Sequence, residues 1–252
     1  MRLKDKICIV TGSGRGIGKA IAEAFVREGG QVIVADIDIA TGRATADALG
    51  DRAEAVALDV TDPQSVTALA DHVQAVHGRL DVLVNNAGIN VFHEPLDTSD
   101  AEWARCMSVD LEGVWRMCRA HLPLMLRAGG SIVNIASSHS FTIIPGTFPY
   151  PVAKHGLLGL TRSLGIEYAR HKVRVNAISP GYVETQLAVE YWESFDDPSA
   201  ARQQTYDLHP PGRICTPGEV AMAAVFLASD EAPFINAENI VIDGGRSVLY
   251  HE

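Results

Sequence analysis

The feature of the sequence that most constrains the fold is a glycine-rich stretch near its start. Thr11-Gly12-Ser13-Gly14-Arg15-Gly16-Ile17-Gly18 follows the apolar run Ile7–Val10 and leads into a helix-period segment, Ile17–Glu28. Glycines at a strand-to-helix turn let backbone N–H groups approach a pyrophosphate, whose charge the helix dipole favours. In this context the stretch predicts the first strand, turn and helix of a dinucleotide-binding domain.

The rest of the chain continues to alternate apolar runs with helix-period segments. The further predicted strands are Val32–Ala35, Ala55–Leu58, Val82–Val84, Ser131–Ile135, Val173–Ile178 and Ile240–Ile242. The further predicted helices are Ala40–Leu49, Pro63–His77, Ala101–Arg127, Ala153–Arg170 and Pro217–Leu227. Uninterrupted apolar runs are typical of strands covered on both faces. The pattern therefore predicts an α/β fold, a doubly wound parallel sheet of about seven strands with helices on both faces. We expect one domain, residues 1–252, because no linker or repeat divides the chain.

Residues 182–211 interrupt the alternation with mixed aromatic and acidic side chains, such as Tyr191, Trp192 and Glu193. Long irregular insertions in compact domains are uncommon and often close over an active site. We therefore expect a substrate lid at about residues 182–211. A helical hairpin on the surface, packed on a neighbouring molecule, is the alternative.

Composition argues against several classes of protein. The 21 Lys and Arg residues face 31 Asp and Glu, giving a net charge of −10, and no basic cluster is present to bind nucleic acid. We find neither an export signal nor an apolar run long enough for a membrane span, which predicts a cytoplasmic protein with no membrane partner. The four cysteines are widely spaced, as expected for free thiols, and no His or Cys spacing predicts a metal site.

The end of the second predicted strand indicates which cofactor the turn receives. Asp36 stands 18 residues after Gly18, where a carboxylate accepts both hydrogen bonds from an adenosine ribose diol and repels a 2′-phosphate. Arg15 would favour that phosphate, but a solvated arginine gains less than a buried like-charge contact costs. The sequence therefore predicts NAD. The residues expected to bind it are Gly12, Ser13, Arg15, Gly16, Ile17, Gly18, Asp36, Ile37, Asp59, Val60, Asn86, Ala87 and Gly88.

Tyr150 and Lys154 are four residues apart, which on a helix places them on one face, a turn apart. An ammonium beside a phenol favours the phenolate, so we expect Lys154 to lower the Tyr150 pKa and make Tyr150 a usable acid or base near neutral pH. Ser137, at the end of the fifth predicted strand, can donate to a substrate oxygen. With the cofactor turn, these residues predict hydride transfer between a nicotinamide and a secondary alcohol or ketone.

In order and spacing, these motifs resemble those of the short-chain dehydrogenase/reductase family, in its single-domain branch. The resemblance covers nearly the whole chain and includes Pro180-Gly181-Tyr182-Val183-Glu184-Thr185, Phe226–Ser229 and Asp243–Gly245. It implies a Rossmann-type fold and a homotetramer built partly from the predicted helices Ala101–Arg127 and Ala153–Arg170.

The same resemblance implies roles for particular residues. Tyr150 would be the proton donor and acceptor, Ser137 would polarise the carbonyl, and Lys154 would hold the nicotinamide ribose. Pro180, Gly181, Val183 and Thr185 would surround the nicotinamide amide.

One position departs from the family pattern. Family members usually carry an asparagine in the helix after the fourth strand, where its backbone carbonyl holds a water in a proton relay from the lysine; this chain has Asp110. If the backbone carbonyl performs the role, an aspartate can serve. If the side chain shapes the helix, the relay changes. We expect Asp110 to be catalytic and to raise the Lys154 pKa.

The substrate is expected to lie over Tyr150 and Ser137, against side chains that are mostly polar. The candidates are Asn90, His93, Ser138, His139, Phe148, Tyr182, Gln186, Trp192 and Arg213. A polar lining favours a small polar substrate over a long acyl chain, and the sequence around Ser137–Lys154 resembles family members acting on sugars and 2-keto-3-deoxy sugar acids, such as 2-keto-3-deoxy-L-fuconate. An acidic substrate needs a cation, which Arg202, Arg213 or Arg246 could supply. The C-terminal segment 246–252 could reach a neighbouring subunit.

Two other functions are compatible with the motifs. One is an NADPH-dependent 3-oxoacyl thioester reductase, against which Asp36 and the net charge of −10 both count, because an acidic carrier protein would need a basic surface. The other is a dinucleotide sensor without turnover, which would not need Ser137, Tyr150 and Lys154.

Overall fold

Seven strands, each close to a predicted apolar run, form one parallel sheet in the computed structural model, which describes residues 1–250. They are β1 (Ile7–Thr11), β2 (Gln31–Asp36), β3 (Ala53–Ala57), β4 (Val82–Asn85), β5 (Gly130–Ile135), β6 (Val173–Pro180) and β7 (Asn239–Ile242). Their order across the sheet is β3-β2-β1-β4-β5-β6-β7, and every neighbouring pair is parallel. The predicted parallel sheet is confirmed.

The two faces of the sheet pack against separate hydrophobic cores. Along β1, Ile7 and Ile9 point into one core while Cys8 and Val10 point into the other, and all four are buried. Side chains alternate across a strand, so a strand covered on both faces must be apolar throughout. This explains the uninterrupted apolar run.

Helices cover both faces, as predicted for a doubly wound fold. The helices are α1 (Gly16–Arg27), α2 (Ile39–Leu49), α3 (Pro63–Val76), α4 (Asp100–Met107), α5 (Gly113–His121), α6 (Tyr150–Tyr168), α7 (Gln186–Glu193), α8 (Pro198–Asp207) and α9 (Pro217–Ala228). Helices α3, α5 and α6 contribute to the core that contains Ile9, and α1, α2 and α9 to the core that contains Cys8.

The predicted helix Ala101–Arg127 is wrong as a single element. It is divided into α4, a π-helical turn over Ser108–Glu112, and α5, and a 3₁₀ turn containing Pro123 follows at Leu122–Leu124. A proline has no N–H for the helix ladder, which accounts for the early end. The π turn carries Asp110, and such turns are frequent at functional sites.

Helix α6 begins three residues before the predicted Ala153 and takes Tyr150 as its first residue. Pro151 lies in the first turn, where a missing N–H costs nothing. The proline is therefore part of the helix start, and the expected one-turn separation of Tyr150 and Lys154 is present.

Residues 182–211 are not irregular, as the lid prediction had it, but contain the helical hairpin α7–α8. Trp192, Ala201 and Ile214 form a small separate core beneath it. The segment is thus helical, as the alternative expected, while its role as a substrate lid and its packing on a neighbouring molecule both stay predictions.

The strand order reverses between β1 and β4, so the loops after these two strands diverge to opposite faces. Open α/β sheets bind ligands in the crevice at such a point, at the carboxyl ends of the strands. Within residues 1–250, no helix combines the length and apolarity that crossing a membrane requires.

Candidate active site

The glycine turn is shaped by close backbone packing. Gly12 and Gly16 have φ of +61° and +58°, values that L side chains rarely adopt, and a Cβ on Gly18 would collide with the Gly12 carbonyl oxygen. A Cβ on Gly16 would meet only Thr185, at 3.7 Å. The turn is therefore tightly packed against the protein at Gly18 and open at Gly16, on the side where a pyrophosphate would approach the start of α1.

Side chains from β1 and β4 hold the turn in place. Asn86 Nδ2 donates to the carbonyl oxygens of Thr11 and Gly12 at 3.0 and 2.9 Å. Thr11 Oγ1 accepts from the backbone N–H groups of Asn86 and Ala87. The Asn86 side chain thus supports the turn, and the cofactor contact predicted for Asn86 falls to its backbone.

Asp36 lies at the end of β2 and is oriented by two backbone donors. Its carboxylate oxygens accept from Gly14 N–H at 2.8 Å and Asp38 N–H at 3.0 Å. Each oxygen keeps a further lone pair for a ribose hydroxyl. Next to it, the Ile37 side chain is 73% exposed, an apolar surface suited to an adenine ring, and Arg15 is exposed to solvent.

Asp59 and Val60, the two cofactor-binding residues predicted after the third strand, have different surroundings. Asp59 Oδ1 accepts from the backbone N–H and the hydroxyl of Thr61 at 2.8 and 2.7 Å. The Val60 side chain is buried in the core, so a cofactor contact at Val60 can involve only its backbone.

Ser137, Tyr150 and Lys154 converge beside this crevice. Lys154 Nζ lies 5.3 Å from the centre of the Tyr150 ring and donates to the Ile135 carbonyl oxygen at 3.3 Å. Ser137 follows β5, and its Oγ accepts from the His139 N–H at 3.1 Å. That bond uses a lone pair and leaves the Ser137 hydroxyl proton to be donated. A side-chain hydrogen bond with Ser137 lowers the Tyr150 pKa, so the two hydroxyl groups lie within reach of each other.

Asp110 and Lys154 form a buried ion pair, with Oδ1 and Nζ 3.2 Å apart. The Asp110 side chain is 0% exposed and also accepts from the Ile89 N–H at 3.3 Å. A Cβ on Gly88 would lie 2.7 Å from Oδ1, so a glycine is needed at position 88. Burial raises the Asp110 pKa, against the opposing effect of Lys154.

The expected lowering of the Tyr150 pKa is wrong for the free enzyme. Burial raises the Tyr150 pKa most strongly; Lys154 opposes this, as expected, but the Asp110 carboxylate adds to it. Burial by itself lowers the Lys154 pKa, but Tyr150 and Asp110 raise it above its usual value. The expected effect of Asp110 on Lys154 is therefore confirmed. Desolvation, which disfavours any charged form, outweighs the effect of Lys154 on the Tyr150 phenol.

Two aromatic rings flank Tyr150. Phe92 and His139 pack edge-on against it, with ring centres 5.5 and 5.8 Å away. His139 was predicted to line the site, but Phe92 was not. The residues predicted instead were its neighbours Asn90 and His93.

A short antiparallel ribbon of Phe92–His93 and Phe148–Pro149 explains this error. His93 is paired with Phe148, so both side chains lie on the ribbon face opposite Phe92. There His93 Nε2 lies 2.9 Å from Glu102 Oε1, and Phe148 stacks on Trp103. These contacts direct His93 and Phe148 toward α4 and not toward the Tyr150 ring, contrary to prediction.

Apolar side chains are also exposed in the segment between Ser137 and Tyr150. They are Phe141, Ile143 and Ile144, and the last two line a cavity with Pro151 and His155. The predicted polar candidates Asn90 and Gln186 are exposed as well. Exposed side chains in these segments are therefore both polar and apolar.

Two further substrate candidates have other partners. Trp192 is buried in the hairpin core and donates to Thr205 Oγ1 at 3.0 Å. Arg213 binds Glu219 through both terminal nitrogens, at 2.9 and 2.7 Å. Both side chains thus have protein partners in this structure, and their contact with a substrate stays a prediction.

The loop from Pro180 to Thr185 faces the glycine turn, as the closeness of Thr185 to Gly16 shows. Within it, Tyr182 packs against Arg246 and His209. Gly181 packs directly on Asp243, where a Cβ would lie 2.9 Å from the Asp243 Cβ. Ser138, another predicted substrate contact, is the first residue of the 3₁₀ turn that follows Ser137.

A buried amide network that the sequence analysis missed lies beneath the site. Asn85 Nδ2 donates to Asn134 Oδ1 at 2.8 Å, and Asn134 Nδ2 donates to Thr161 Oγ1 at 2.9 Å. It ties β4, β5 and α6 together directly below Ser137 and Lys154. Polar residues inside otherwise apolar strands were the available signal.

The part of the chain that the structure describes contains no cluster of three or more His, Cys, Asp or Glu side chains suited to a metal. Residues 251–252, the end of the segment expected to reach a neighbour, lie outside the described residues.

The known proteins that this chain resembles over nearly its whole length are reductases and dehydrogenases. A family model described as enoyl-(acyl carrier protein) reductase matches residues 12–247. A D-threitol dehydrogenase of Mycolicibacterium smegmatis is 39% identical over 98% of this chain and 95% of the relative. A 3-oxoacyl-(acyl-carrier-protein) reductase of Thermotoga maritima is 35% identical over 97% of this chain and 99% of the relative. The ligand-free structure of a Thermoplasma acidophilum aldohexose dehydrogenase gives a TM-score of 0.91 at 36% identity, covering 99% of this chain and 96% of the other.

Proposed function

Because the chain belongs to the short-chain dehydrogenase/reductase family, whose members are oxidoreductases that use a nicotinamide cofactor, we propose that it oxidises a secondary alcohol of a small polyol, sugar or sugar acid with NAD, or reduces the corresponding ketone. The observation that carries this proposal is the convergence of Ser137, Tyr150 and Lys154 on one crevice with the glycine turn.

The residues present fit a dinucleotide. The open side at Gly16 leaves room for a pyrophosphate at the start of α1, and Asp36 offers lone pairs to a ribose diol. Thr185 and the rest of the loop from Pro180 would hold the nicotinamide end. When bound, the nicotinamide supplies the hydride acceptor or donor.

The protein's own groups handle the proton. In oxidation, Tyr150 accepts the proton of the substrate hydroxyl, and in reduction it returns one to the carbonyl oxygen. Ser137 donates a hydrogen bond to that same oxygen. Lys154 stabilises the phenolate through its positive charge, and its bond to the Ile135 carbonyl fixes its position.

The carboxylate of Asp36 supports NAD over NADP. It is 9% exposed and accepts from the Gly14 N–H of the glycine turn, so a 2′-phosphate on a ribose bound there would meet a negative charge. No Lys or Arg occupies positions 37–39 to offset it.

The substrate class is supported by relatives whose names state a polyol or an aldose, D-threitol dehydrogenase and aldohexose dehydrogenase. Ser138, His139 and Tyr182 would supply polar contacts to such a substrate.

A panel of alditols, aldoses and sugar acids, assayed with NAD and separately with NADP by the absorbance of the reduced cofactor, tests this proposal. We expect turnover of at least one member with NAD and a lower kcat/KM with NADP. Failure of every member with both cofactors would contradict the proposal.

A second candidate is reduction of a 3-oxoacyl thioester with NADPH. The 3-oxoacyl reductase relative and the apolar Phe92, Ile143 and Ile144 favour it. An acetoacetyl thioester with NADPH as reductant distinguishes the two, since we expect it to react far more slowly than the best polyol or sugar with NAD.

We further propose a homotetramer assembled in part through α5 and α6. Trp115 and Ile166, on the outer faces of these helices, are 43% and 72% exposed, and large apolar side chains on a helix surface favour burial by a partner.

A further inference from the structure

Three arginines were candidates for binding an acidic substrate, and the structure separates them by their partners. Arg213 is bound to Glu219, and Arg202 is bound to Glu184 at 2.9 Å and to the Tyr206 hydroxyl at 2.7 Å. Within residues 1–250, Arg246 has no carboxylate at ion-pair distance. Its guanidinium instead lies over the Tyr182 ring, 4.9 Å from the ring centre.

Arg246 lies on the same edge of the sheet as the catalytic residues. Ser137 follows β5, Tyr182 follows β6 and Arg246 follows β7, and these three strands are neighbours and parallel. Their carboxyl ends therefore share one edge, and Arg246 lies on the far side of Tyr182 from the cofactor turn.

The charge of Arg246 affects the pKa of a residue that packs against Tyr150. Burial, and after it the charge of Arg246, lowers the pKa of His139, whose ring packs against Tyr150. Arg246 also lowers the pKa of His209, although burial is again the largest cause. The His209 ring packs edge-on against Tyr182 at 5.7 Å.

The polar groups of this cluster are suited to an anion. His139 Nδ1 and His209 Nε2 are buried ring nitrogens without a hydrogen-bond partner in the described part of the chain. The nearby Asp243 carboxylate accepts hydrogen bonds from the N–H groups of Gly245 and Ser247, at 2.9 and 2.8 Å. Among residues 1–250, the Arg246 guanidinium thus keeps no carboxylate partner, and a planar guanidinium binds a carboxylate in bidentate geometry.

We propose that Arg246 binds the carboxylate of the substrate while the reacting secondary alcohol lies at Tyr150, so that sugar acids or related hydroxy acids are better substrates than the neutral sugars and alditols of the same length. This inference rests on the proposed dehydrogenase activity and specifies its substrate class.

Matched pairs of substrates test the proposal. Aldonic acids of four to six carbons are compared with the alditols of the same length and configuration, which replace the carboxylate by a CH₂OH group. In R246Q we expect KM for the acids to rise by about tenfold or more while KM for the alditols changes less than about twofold, because only the acids lose a charge-assisted contact. R246K keeps the charge and should recover part of the loss.

The control is R127Q, because Arg127 is exposed and precedes β5, at the opposite edge of the sheet. It should leave both KM values unchanged, and thermal unfolding of all variants verifies that they are folded. Equal changes for acids and alditols in R246Q, or no change for either, would overturn the proposal.

The failure of this inference is distinguishable from failure of the proposed function. The wild-type enzyme could oxidise alditols or aldoses and neither oxidise nor bind the acids. That result would support the dehydrogenase activity and contradict the role of Arg246. If no compound is oxidised, the dehydrogenase proposal fails. Calorimetric titration of the acids into wild type and R246Q with NAD present then still decides whether Arg246 binds a carboxylate.

Discussion

At the scale of single residues, Asp110 has the most unusual surroundings in the site. Its buried carboxylate pairs directly with the ammonium that should stabilise the Tyr150 phenolate. A neutral side chain there would leave the charge of Lys154 uncompensated. We therefore propose that Asp110 is a positioning residue that controls how strongly Lys154 acts on Tyr150.

D110N tests this control. The substitution removes the negative charge that raises the Tyr150 pKa, so the phenolate forms at lower pH. We expect the acidic limb of the kcat profile for alcohol oxidation to move down by about one pH unit, equivalent to about 1.4 kcal/mol. An unshifted limb, measured on folded enzyme with saturating substrate and cofactor, would show that Asp110 has only a structural role.

We propose that the choice between NAD and NADP depends on Asp36. D36A removes the acceptor for the ribose diol, and we expect the ratio of kcat/KM with NAD to that with NADP to fall about tenfold or more. D38N is the matched control, because it removes a charge two residues away while an asparagine still caps α2. A ratio that falls equally in both variants would mean that general charge, and not Asp36, sets the preference.

A contact between two residues could be predicted from the sequence when both residues lie on one helix or strand. Tyr150 and Lys154 share a helix, so their spacing alone placed them together. Phe92 against Tyr150 and Asp110 against Lys154 join segments distant in the chain. Whether Phe92 or His93 faces the site depends on the register of the short ribbon, which no local pattern encodes.

At the scale of elements, the amide network joins two central strands, β4 and β5, to helix α6, which carries Tyr150 and Lys154. Thr161 Oγ1 donates to the Leu157 carbonyl oxygen at 2.8 Å and accepts from Asn134. Thr161 therefore links α6 to β5 below the site. Loss of the Thr161 hydroxyl would leave a buried amide proton without an acceptor.

T161V should therefore lower the free energy of unfolding by about 1–3 kcal/mol, the cost of an unsatisfied buried group. T67V is the control, since Thr67 makes the same bond to the carbonyl oxygen four residues earlier, at 2.8 Å, but is exposed on α3. We expect it to cost less than about 0.5 kcal/mol. Equal costs for the two variants in urea unfolding would contradict the role of the network.

Element boundaries were predictable where apolar periodicity and capping agreed, as at the start of α3, where Asp62 caps and Pro63 follows. They were missed where a helix changes type without a change in composition. The π turn around Asp110 retains helix-forming residues, and its geometry follows from tertiary packing, including that of Gly113 on Val60. The two helices of the hairpin α7–α8 were missed because they are short, at eight and ten residues.

At the scale of the whole molecule, the reversal of strand order at β1 and β4 brings the glycine turn, the Asn86 support and the catalytic residues to one edge. Alternation of apolar runs and helices was sufficient to predict this arrangement, because parallel connections have a fixed hand. The assembly of several molecules was implied only by resemblance, and exposed apolar side chains on α5 and α6 are its structural support.

The proposed tetramer can be tested by placing a charge on α6. In I166D a carboxylate replaces an apolar side chain that is 72% exposed in one chain, and we expect dissociation to dimers or monomers in sedimentation velocity. F234D is the control, because Phe234 is 99% exposed but lies in the loop before β7. A wild-type monomer, or an unchanged tetramer in I166D, would contradict assembly through α6.

Removal of one hydroxyl group is the most direct test of the proton chemistry at Tyr150. In Y150F we expect kcat to fall by about a thousandfold, within the range typical of a lost acid–base group, while the Kd for NADH measured by fluorescence stays within about twofold. Y168F, at the other end of α6, should retain full activity. A Y150F enzyme that binds NADH and keeps a rate near that of the wild type would contradict the proposed mechanism.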